Sequence, residues 1–183
     1  MRPCLTEVLL EVRAGSPWPP PGRGLLLHHL DLDQLIRVVG QTEDPLVVDL
    51  DSVDGLSPDR RAAAFLIGRL GIGAIVTRHA PVAAAVAAMG GLALFRVFAF
   101  DSTGLERSMI AHPRSPAVGT VVSPGLVLPY LAAERAELPG PLVGYGLIRR
   151  WEEVEACRRA GADSVVLWLE DQSSRVDRVA GRR

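Results

Sequence analysis

Short apolar runs alternate with amphipathic stretches along most of the chain. From about residue 45 onward each run is rich in valine, leucine or isoleucine and is followed by a stretch with helical spacing. This succession is typical of parallel strands joined by crossover helices. The strand-like runs are PLVVDL at 45–50, GAIVTR at 73–78, LALFRVFAF at 92–100, GTVVS at 119–123, PLVGYG at 141–146 and DSVVLWL at 163–169.

Two further strands are expected nearer the N-terminus. GRGLLLHHL at 22–30 is strand-like, and a short strand is predicted within Arg2 to Leu10, while GSPWPPPG at 15–22 is a stiff, proline-rich loop. Eight strands close a barrel, whereas fewer form an open doubly wound sheet. Because closure leaves no hydrophobic sheet edge exposed, the prediction is a small (β/α)8 TIM barrel, a single domain over residues 1–183.

Two helices of this pattern have specific expected features. Ser57 is placed to cap a helix that has Pro58 at its first position. The stretch PGLVLPYLAAERAEL at 124–138 is interpreted as the helix that follows the GTVVS strand.

Composition narrows the classes of function. The chain has 183 residues, 48% of them hydrophobic and 22% charged, which suits one folded domain. Its net charge of −1 draws it to neither nucleic acid nor an anionic membrane, so any RNA contact requires local arginine patches. Cys4 and Cys157 lack metal-like spacing. With no signal segment, no spanning apolar run and no cofactor motif, a cytoplasmic protein without cofactor or metal is expected.

Ligands of barrels and open parallel sheets bind at the carboxyl ends of the strands. Asp49 and Asp51 alternate there, so they are predicted to share one face and to pair with Arg78 or Arg96, or to hold a metal. Arg96 lies in an apolar run and requires an anion, either a carboxylate of this chain or a ligand. The expected ligand-binding residues are Asp51, Arg78, Arg96, Asp101, Ser102, Gly125, Gly144 and Gly146.

Structural roles compete with each of these interpretations. From the residues alone, an internal ion pair is favoured for Arg96. His28 and His29 are predicted to leave their strand on opposite faces, one buried and one solvated. The segment Gly144-Tyr145-Gly146 is a weak phosphate-loop signal. The sequence contains no Ser-His-Asp, HExxH, P-loop or GxGxxG pattern that would indicate an enzyme.

Several adjoining segments resemble the glycerol-3-phosphate-responsive antiterminator family. VVDLDSVDGLSPD at 47–59 is similar to the family's strand ending and following turn, and GAIVTR to its Gly-Ile-Ile-Ser-Thr-Arg/Lys segment. LFRVFAFDSTGLERS at 94–108 resembles its Gln-Arg-Leu-Phe run, which is followed by Asp-(Thr/Ser)-Ser and a helix. SPGLV at 123–127 and the segment 141–162 follow in the same order. The order of the matches is more specific than any one motif.

This resemblance implies a TIM barrel that senses glycerol 3-phosphate and binds leader mRNA, not an enzyme. Arg96 would then be an inward-facing cation at the mouth, within ion-pair reach of Asp49, Asp51 or a bound anion, and Arg96→Met would weaken ligand binding more than folding. RNA contacts would come from arginine patches, and a homodimer is left open. Those patches are Arg149–Arg150, Arg158–Arg159 and the tail residues Arg175, Arg178, Arg182 and Arg183.

The chain departs from the family where barrels usually bind phosphate, after strands seven and eight. The paired glycines after strand seven are Gly144-Tyr145-Gly146, and small hydroxyl residues give way to Val166-Leu167-Trp168-Leu169. Position 49 of this chain has aspartate instead of histidine, position 95 phenylalanine instead of glutamine, and position 121 valine instead of glutamate. We therefore expect glycerol 3-phosphate to bind weakly or not at all. A ligand-free scaffold and a barrel enzyme using Asp49 and Asp51 remain the alternatives.

Overall fold

Eight parallel strands close into a barrel. The computed structural model describes residues 5–15, 19, 21–113, 115 and 117–168. The strands follow one another in chain order, and β8 closes the barrel on β1, with Val165 opposite Val8. Their bounds are β1 Val8–Val12, β2 Gly24–Leu27, β3 Leu46–Asp49, β4 Ala74–Thr77, β5 Leu92–Phe98, β6 Val118–Ser123, β7 Leu142–Gly144 and β8 Ser164–Leu167. The predicted (β/α)8 barrel is confirmed.

The predicted N-terminal strand is present, but it extends beyond its predicted C-terminal bound. It begins at Val8, inside the predicted range Arg2 to Leu10, and continues to Val12, pairing with both β2 and β8. Residues 1–4 of the predicted range, and residues 16–18 and 20 of the proline-rich run, lie outside the described residues. The extension of β1 matters because it brings Glu11 to the carboxyl end of the barrel.

Five α-helices flank the strands in the part of the chain that the structure describes. They are α1 Leu32–Gln41, α2 Arg60–Gly68, α3 Ala80–Ala88, α4 Ser102–Ala111 and α5 Trp151–Arg159. The sequence pattern did not predict α1, although Asp31 and Gln34 form a capping box at its start. The predicted cap of α2 is also wrong. Asp59 fills that position, because its carboxylate accepts hydrogen bonds from the backbone of Arg61 and Ala62, each at 2.8 Å.

The stretch at 124–138 does not form the predicted α-helix. It contains two 3-10 segments, Gly125–Tyr130 and Arg135–Glu137. Pro129 lies inside the first segment, where it has no backbone N–H to continue a helical ladder. This tight connection brings Gly125 against the backbone that follows β7.

Alternating strand residues build two apolar layers. One alternate set faces the helices, and the other fills the barrel interior. The interior set comprises Leu9, Leu26, Val47, Ala74, Val76, Leu94, Val121, Val143 and Val166. Because apolar side chains fill the interior, functional side chains can lie only beyond it, at the strand ends. Within the described residues, no helix is both long and apolar enough to cross a membrane.

Candidate functional site

A layer of polar side chains lies directly beyond the apolar interior. Two positions after an interior residue, β4 leads to the exposed Arg78 and β6 to Ser123, whereas β1, β2, β3, β5 and β7 each lead to an ionisable residue that is buried or half-buried. Because side chains of a strand repeat with period two, these residues point toward the carboxyl mouth of the barrel. We call this set the mouth layer; it comprises Glu11, His28, Asp49, Arg96 and Tyr145.

Arg96 and Asp49 form the ion pair at the centre of the mouth layer. Nη2 of Arg96 lies 2.8 Å from Oδ2 of Asp49, which is 1% exposed. The Arg96 guanidinium also lies 5.1 Å from the centre of the Tyr145 ring, a cation–π distance. Arg96 therefore lies within ion-pair reach of Asp49, as the sequence predicted, while Asp51 is engaged elsewhere.

Glu11, His28 and Tyr145 form a hydrogen-bonded chain beside this pair. Glu11 accepts from Nε2 of His28 and, at 2.6 Å, from Nε of Arg13. Nδ1 of His28 lies 3.1 Å from the hydroxyl of Tyr145. Since an ionised carboxylate only accepts, Nε2 must carry a hydrogen; Nδ1 accepts from the Tyr145 O–H when the ring is neutral and donates to the Tyr145 oxygen when the ring is charged. The chain fixes the Tyr145 side chain across the mouth.

Burial and charge set the ionisation of this chain. Burial raises the pKa of Glu11, but the hydrogen bond and charge of His28 and the charge of Arg13 outweigh it, so the net pKa falls below the ordinary 4.5. Burial, followed by the negative charge of Glu11, raises the pKa of Tyr145 well above its ordinary value of 10.0. Glu11 is consequently ionised and Tyr145 neutral across the physiological range.

The lowered pKa of Glu11 predicts acid sensitivity. Folding favours the ionised carboxylate, so its contribution to stability is present above about pH 4.5 and is lost as pH falls through the lower folded pKa. We expect Glu11→Gln to flatten the decline of the free energy of unfolding below pH 4.5, measured by urea denaturation at several pH values. Glu106→Gln, on the exposed face of α4, is the matched control. Equal acid slopes in wild type and Glu11→Gln would contradict this account of Glu11.

Trp168 lies where the chain leaves β8. Its backbone N–H donates to the carbonyl of Ile148 at 3.0 Å. The guanidinium carbons of Arg13 and Arg149 lie 4.7 Å and 4.5 Å from the centre of its ring. The indole thus links the ends of β1 and β8 to the segment after β7, and fills space that a small residue would leave open.

Asp51 does not share a face with Asp49, contrary to the predicted alternation. Strand β3 ends at Asp49, and a 3-10 turn at Leu50–Ser52 carries Asp51 out of the strand. The Asp51 carboxylate accepts from the Thr77 hydroxyl at 2.7 Å and from the backbone N–H of Arg78 at 2.6 Å. Asp51 therefore holds the loop after β4, and Arg78 joins that loop through its backbone while its side chain is exposed.

Asp101 and Ser102 form the start of α4. The Asp101 carboxylate caps the helix by accepting from the backbone N–H of Gly104 at 2.7 Å, and Ser102 is the exposed first residue of the helix. The Asp-Ser-Thr-Gly segment therefore serves locally to start helix α4. A ligand-binding role for Asp101 and Ser102 stays a prediction.

The three predicted site glycines have different surroundings. Gly125 packs against the backbone after β7, where an added Cβ would lie 2.4 Å from the Tyr145 nitrogen. A Cβ at Gly144 would meet Leu128 and the helix side of the barrel, so this position faces away from the mouth. Gly146 has a φ of +93°, which favours glycine. Gly125 and Gly146 shape the Tyr145 loop, and Gly144 shapes the packing behind it.

Sequence reasoning missed Glu11 and Arg13 as parts of the site. Glu11 is an acid inside the apolar run Val8–Val12, the same signal that identified Arg96. His28 is buried at 3% exposure and His29 is exposed, which confirms the prediction of one buried and one solvated histidine, although β2 ends before them and their rings lie 4.5 Å apart. Among the described residues, no group of three His, Cys, Asp or Glu side chains could hold a metal ion. The alternative in which Asp49 and Asp51 hold a metal lacks support from their geometry, because the 3-10 turn takes Asp51 off the face that carries Asp49.

Residues 25–168 match the family model described as glycerol-3-phosphate responsive antiterminator. This span runs from β2 through β8 and includes four of the five mouth-layer residues. The chain belongs to this family. The search of curated proteins found no match.

Solved structures support the fold of this family member. It is similar to the glycerol uptake operon antiterminator regulatory protein of Listeria monocytogenes, with 20% identity, a TM-score of 0.70 and 82% of each chain covered. It is also similar to a glycerol uptake operon antiterminator-related protein of Thermotoga maritima, with 21% identity, a TM-score of 0.64, and 92% of this chain and 96% of the other covered. A native KDPGal structure follows at 14% identity and a TM-score of 0.57, covering 88% and 82%. At these identities the likenesses establish the barrel alone.

Proposed function

We propose that this family member is an RNA-binding regulator of transcription antitermination in glycerol metabolism, and that the barrel mouth is its ligand-responsive part. The family match over residues 25–168 is the observation that carries the proposal. The protein would act in the cytoplasm as one non-enzymatic domain over residues 1–183, with a leader mRNA as its partner. A ligand can shift such a regulator between two states only if it binds those two states with different affinities.

The arginines at α5 are the candidate RNA contacts within the described residues. Arg150 lies 2.7 Å from Glu153, Arg158 lies 2.9 Å from Glu7, and Arg159 lies 3.7 Å from Glu155. Exposed pairs of this kind contribute about 0–1 kcal/mol each, so RNA phosphates can compete for the guanidinium groups. The predicted tail arginines 175, 178, 182 and 183 lie outside the described residues.

A read-through reporter tests this function in cells. A reporter gene is placed behind the leader and terminator of a glycerol-metabolism operon of the same organism. Deleting this protein is expected to lower reporter expression at least tenfold, and expression of the intact chain should restore it. Unchanged read-through after deletion would overturn the proposed function. A constitutive promoter without the terminator controls for effects on general transcription.

Glycerol 3-phosphate is expected to bind weakly or not at all. The only mouth-layer cation among the described residues, Arg96, is already paired with Asp49, while Tyr145 and Trp168 occupy the mouth beside the ends of β7 and β8. Charge-assisted hydrogen bonds contribute about 1.5–3 kcal/mol each, so the loss of two phosphate donors lowers affinity by roughly two to four powers of ten. Calorimetry with glycerol 3-phosphate measures this directly.

Substitution of Tyr145 provides the matched comparison for that titration. Tyr145→Gly restores the small residue of the family pattern and is expected to increase affinity for glycerol 3-phosphate. Tyr130→Gly removes a tyrosine that is 85% exposed and should leave affinity unchanged. A micromolar dissociation constant of the wild type for glycerol 3-phosphate would refute the claim that the phosphate site is altered. Glycerol 3-phosphate would then be the ligand of this protein, as in its family.

A further inference from the structure

The central ion pair of the mouth layer is only half satisfied. Oδ2 of Asp49 accepts from Nη2 of Arg96, but Oδ1 of Asp49 and Nε of Arg96 are buried and have no hydrogen-bond partner in the described structure. A full side-on pair of arginine and carboxylate would use both nitrogens and both oxygens. Buried polar groups are normally satisfied, so two orphaned atoms on one ion pair point to a missing partner.

The two orphaned atoms specify the chemistry of that partner. Oδ1 of Asp49 can only accept a hydrogen bond, and Nε of Arg96 can only donate one. A hydroxyl group can donate to the first and accept from the second, either alone or as one of two neighbouring hydroxyls. A phosphate or carboxylate offers no donor to Asp49 in its ionised form. A hydroxyl group therefore fits both atoms, whereas a phosphate or carboxylate oxygen fits only Nε of Arg96. Glycerol and glycerol 3-phosphate both carry hydroxyls, so the charge of the mouth layer decides between them.

Charge in the mouth layer favours the same class of ligand. The Arg96 cation is compensated by Asp49, and Arg13 lies against the carboxylate of Glu11. Arg149 lies farther out, against the Trp168 ring. An anion placed at Oδ1 of Asp49 would meet a buried negative charge without a new cation at that depth among the described residues, which is unfavourable. A neutral ligand adds no charge.

Tyr145 controls access to these atoms. Its ring lies over the Arg96 guanidinium, and its hydroxyl is held by one hydrogen bond to His28. The residues that follow, Gly146 and Leu147, have φ values of +93° and 62°. A left-handed conformation is unfavourable for leucine, so the turn after Tyr145 is locally strained. Binding requires an outward rotation of the Tyr145 side chain, which breaks its hydrogen bond to His28. Such a movement would uncover the Asp49–Arg96 pair.

We infer that the barrel mouth binds a small neutral polyol, whose hydroxyls donate to Oδ1 of Asp49 and accept from Nε of Arg96 after Tyr145 moves aside. This inference rests on the proposed function of the mouth as the ligand-responsive part. It replaces the phosphorylated ligand of the family with an uncharged one of similar size. Glycerol is the simplest probe of this class.

NMR titration of the full chain with glycerol tests the inference without RNA. Saturable shifts of backbone resonances in the segments around Asp49, Arg96 and Tyr145 are expected. The dissociation constant should be millimolar or tighter, and glycerol 3-phosphate should bind at least tenfold more weakly, a difference of about 1.4 kcal/mol. Absence of saturable glycerol binding, or tighter binding of glycerol 3-phosphate, would overturn the inference while leaving the read-through assay free to support or refute the proposed function.

Variants separate a specific site from a solvent effect of glycerol. Asp49→Asn should weaken glycerol binding at least tenfold, whereas Asp33→Asn on the exposed face of α1 should leave it unchanged. If Asp49→Asn fails to fold, the double variant Asp49→Asn/Arg96→Gln removes both charges together and should show the same loss. Wild-type affinity in a folded variant lacking the Asp49 carboxylate would overturn the assignment of the site.

Discussion

Arg96→Met is expected to lower the free energy of unfolding by about 3–5 kcal/mol. Asp49 is 1% exposed and has Arg96 at 2.8 Å, so removing the guanidinium leaves a buried carboxylate without its cation. Sequence reasoning alone expected this substitution to affect ligand binding more than folding. The depth of Asp49 changes that expectation. In a chain of this length each kcal/mol corresponds to roughly 2–4 °C in melting temperature, so urea denaturation and thermal melting should both detect the loss.

Two variants identify the cause of that loss. Arg107→Met removes an exposed arginine of α4 and should change stability by less than about 0.5 kcal/mol. Asp49→Asn/Arg96→Met removes both charges and should recover much of the stability lost in the single variant, because no charge is then left buried alone. Wild-type stability of Arg96→Met would show that the ion pair is unimportant for the fold.

Phe95→Gln is expected to cost about 3–5 kcal/mol of folding free energy. The family pattern has glutamine at this position, but here the Phe95 side chain is 2% exposed and packs among apolar residues between β5 and the helices. Its ring lies 5.0 Å from that of His112 in an edge-to-face arrangement. Glutamine would lose this packing and bury an amide in an apolar layer. Urea denaturation at neutral pH measures the difference.

Phe100 supplies the control for this substitution. It lies five residues farther along the same segment, stacks on Phe98 with ring centres 5.7 Å apart, and is 71% exposed. Phe100→Gln should therefore change stability by less than about 1 kcal/mol. If Phe95→Gln were as mild as Phe100→Gln, the protein would tolerate the family residue here, and the outer layer would be less tightly packed than described.

The barrel could be predicted because its signals are local. Apolar runs such as Leu46–Asp49 and Ala74–Thr77 alternate with helical stretches, and parallel strands in that order have few ways to connect. The inward orientation of Arg96 was implied by the family resemblance, and the structure places its guanidinium beside Asp49. The α1 helix could also have been found, since Asp31 and Gln34 form a capping box that is readable in the sequence.

The partners within the site could not be read from local patterns. Asp51 left the predicted face because β3 ends two residues earlier in a 3-10 turn, and alternation applies only while the strand continues. Glu11 and His28 belong to the neighbouring strands β1 and β2, whereas Tyr145 follows β7, and only barrel closure brings Tyr145 to them. Knowing the register of β1 would have been necessary to place Glu11 in the mouth layer.

Crosslinking of bound RNA in living cells tests the central claim most directly. The intact protein is crosslinked by ultraviolet light, purified under denaturing conditions, and its attached RNA is sequenced. If the protein is an RNA-binding antitermination regulator, a leader transcript upstream of glycerol-metabolism genes should be strongly enriched. The enrichment should fall in a folded variant in which glutamine replaces four arginines together, Arg149, Arg150, Arg158 and Arg159. Recovery of no RNA above the level of an uncrosslinked sample would contradict the proposed function.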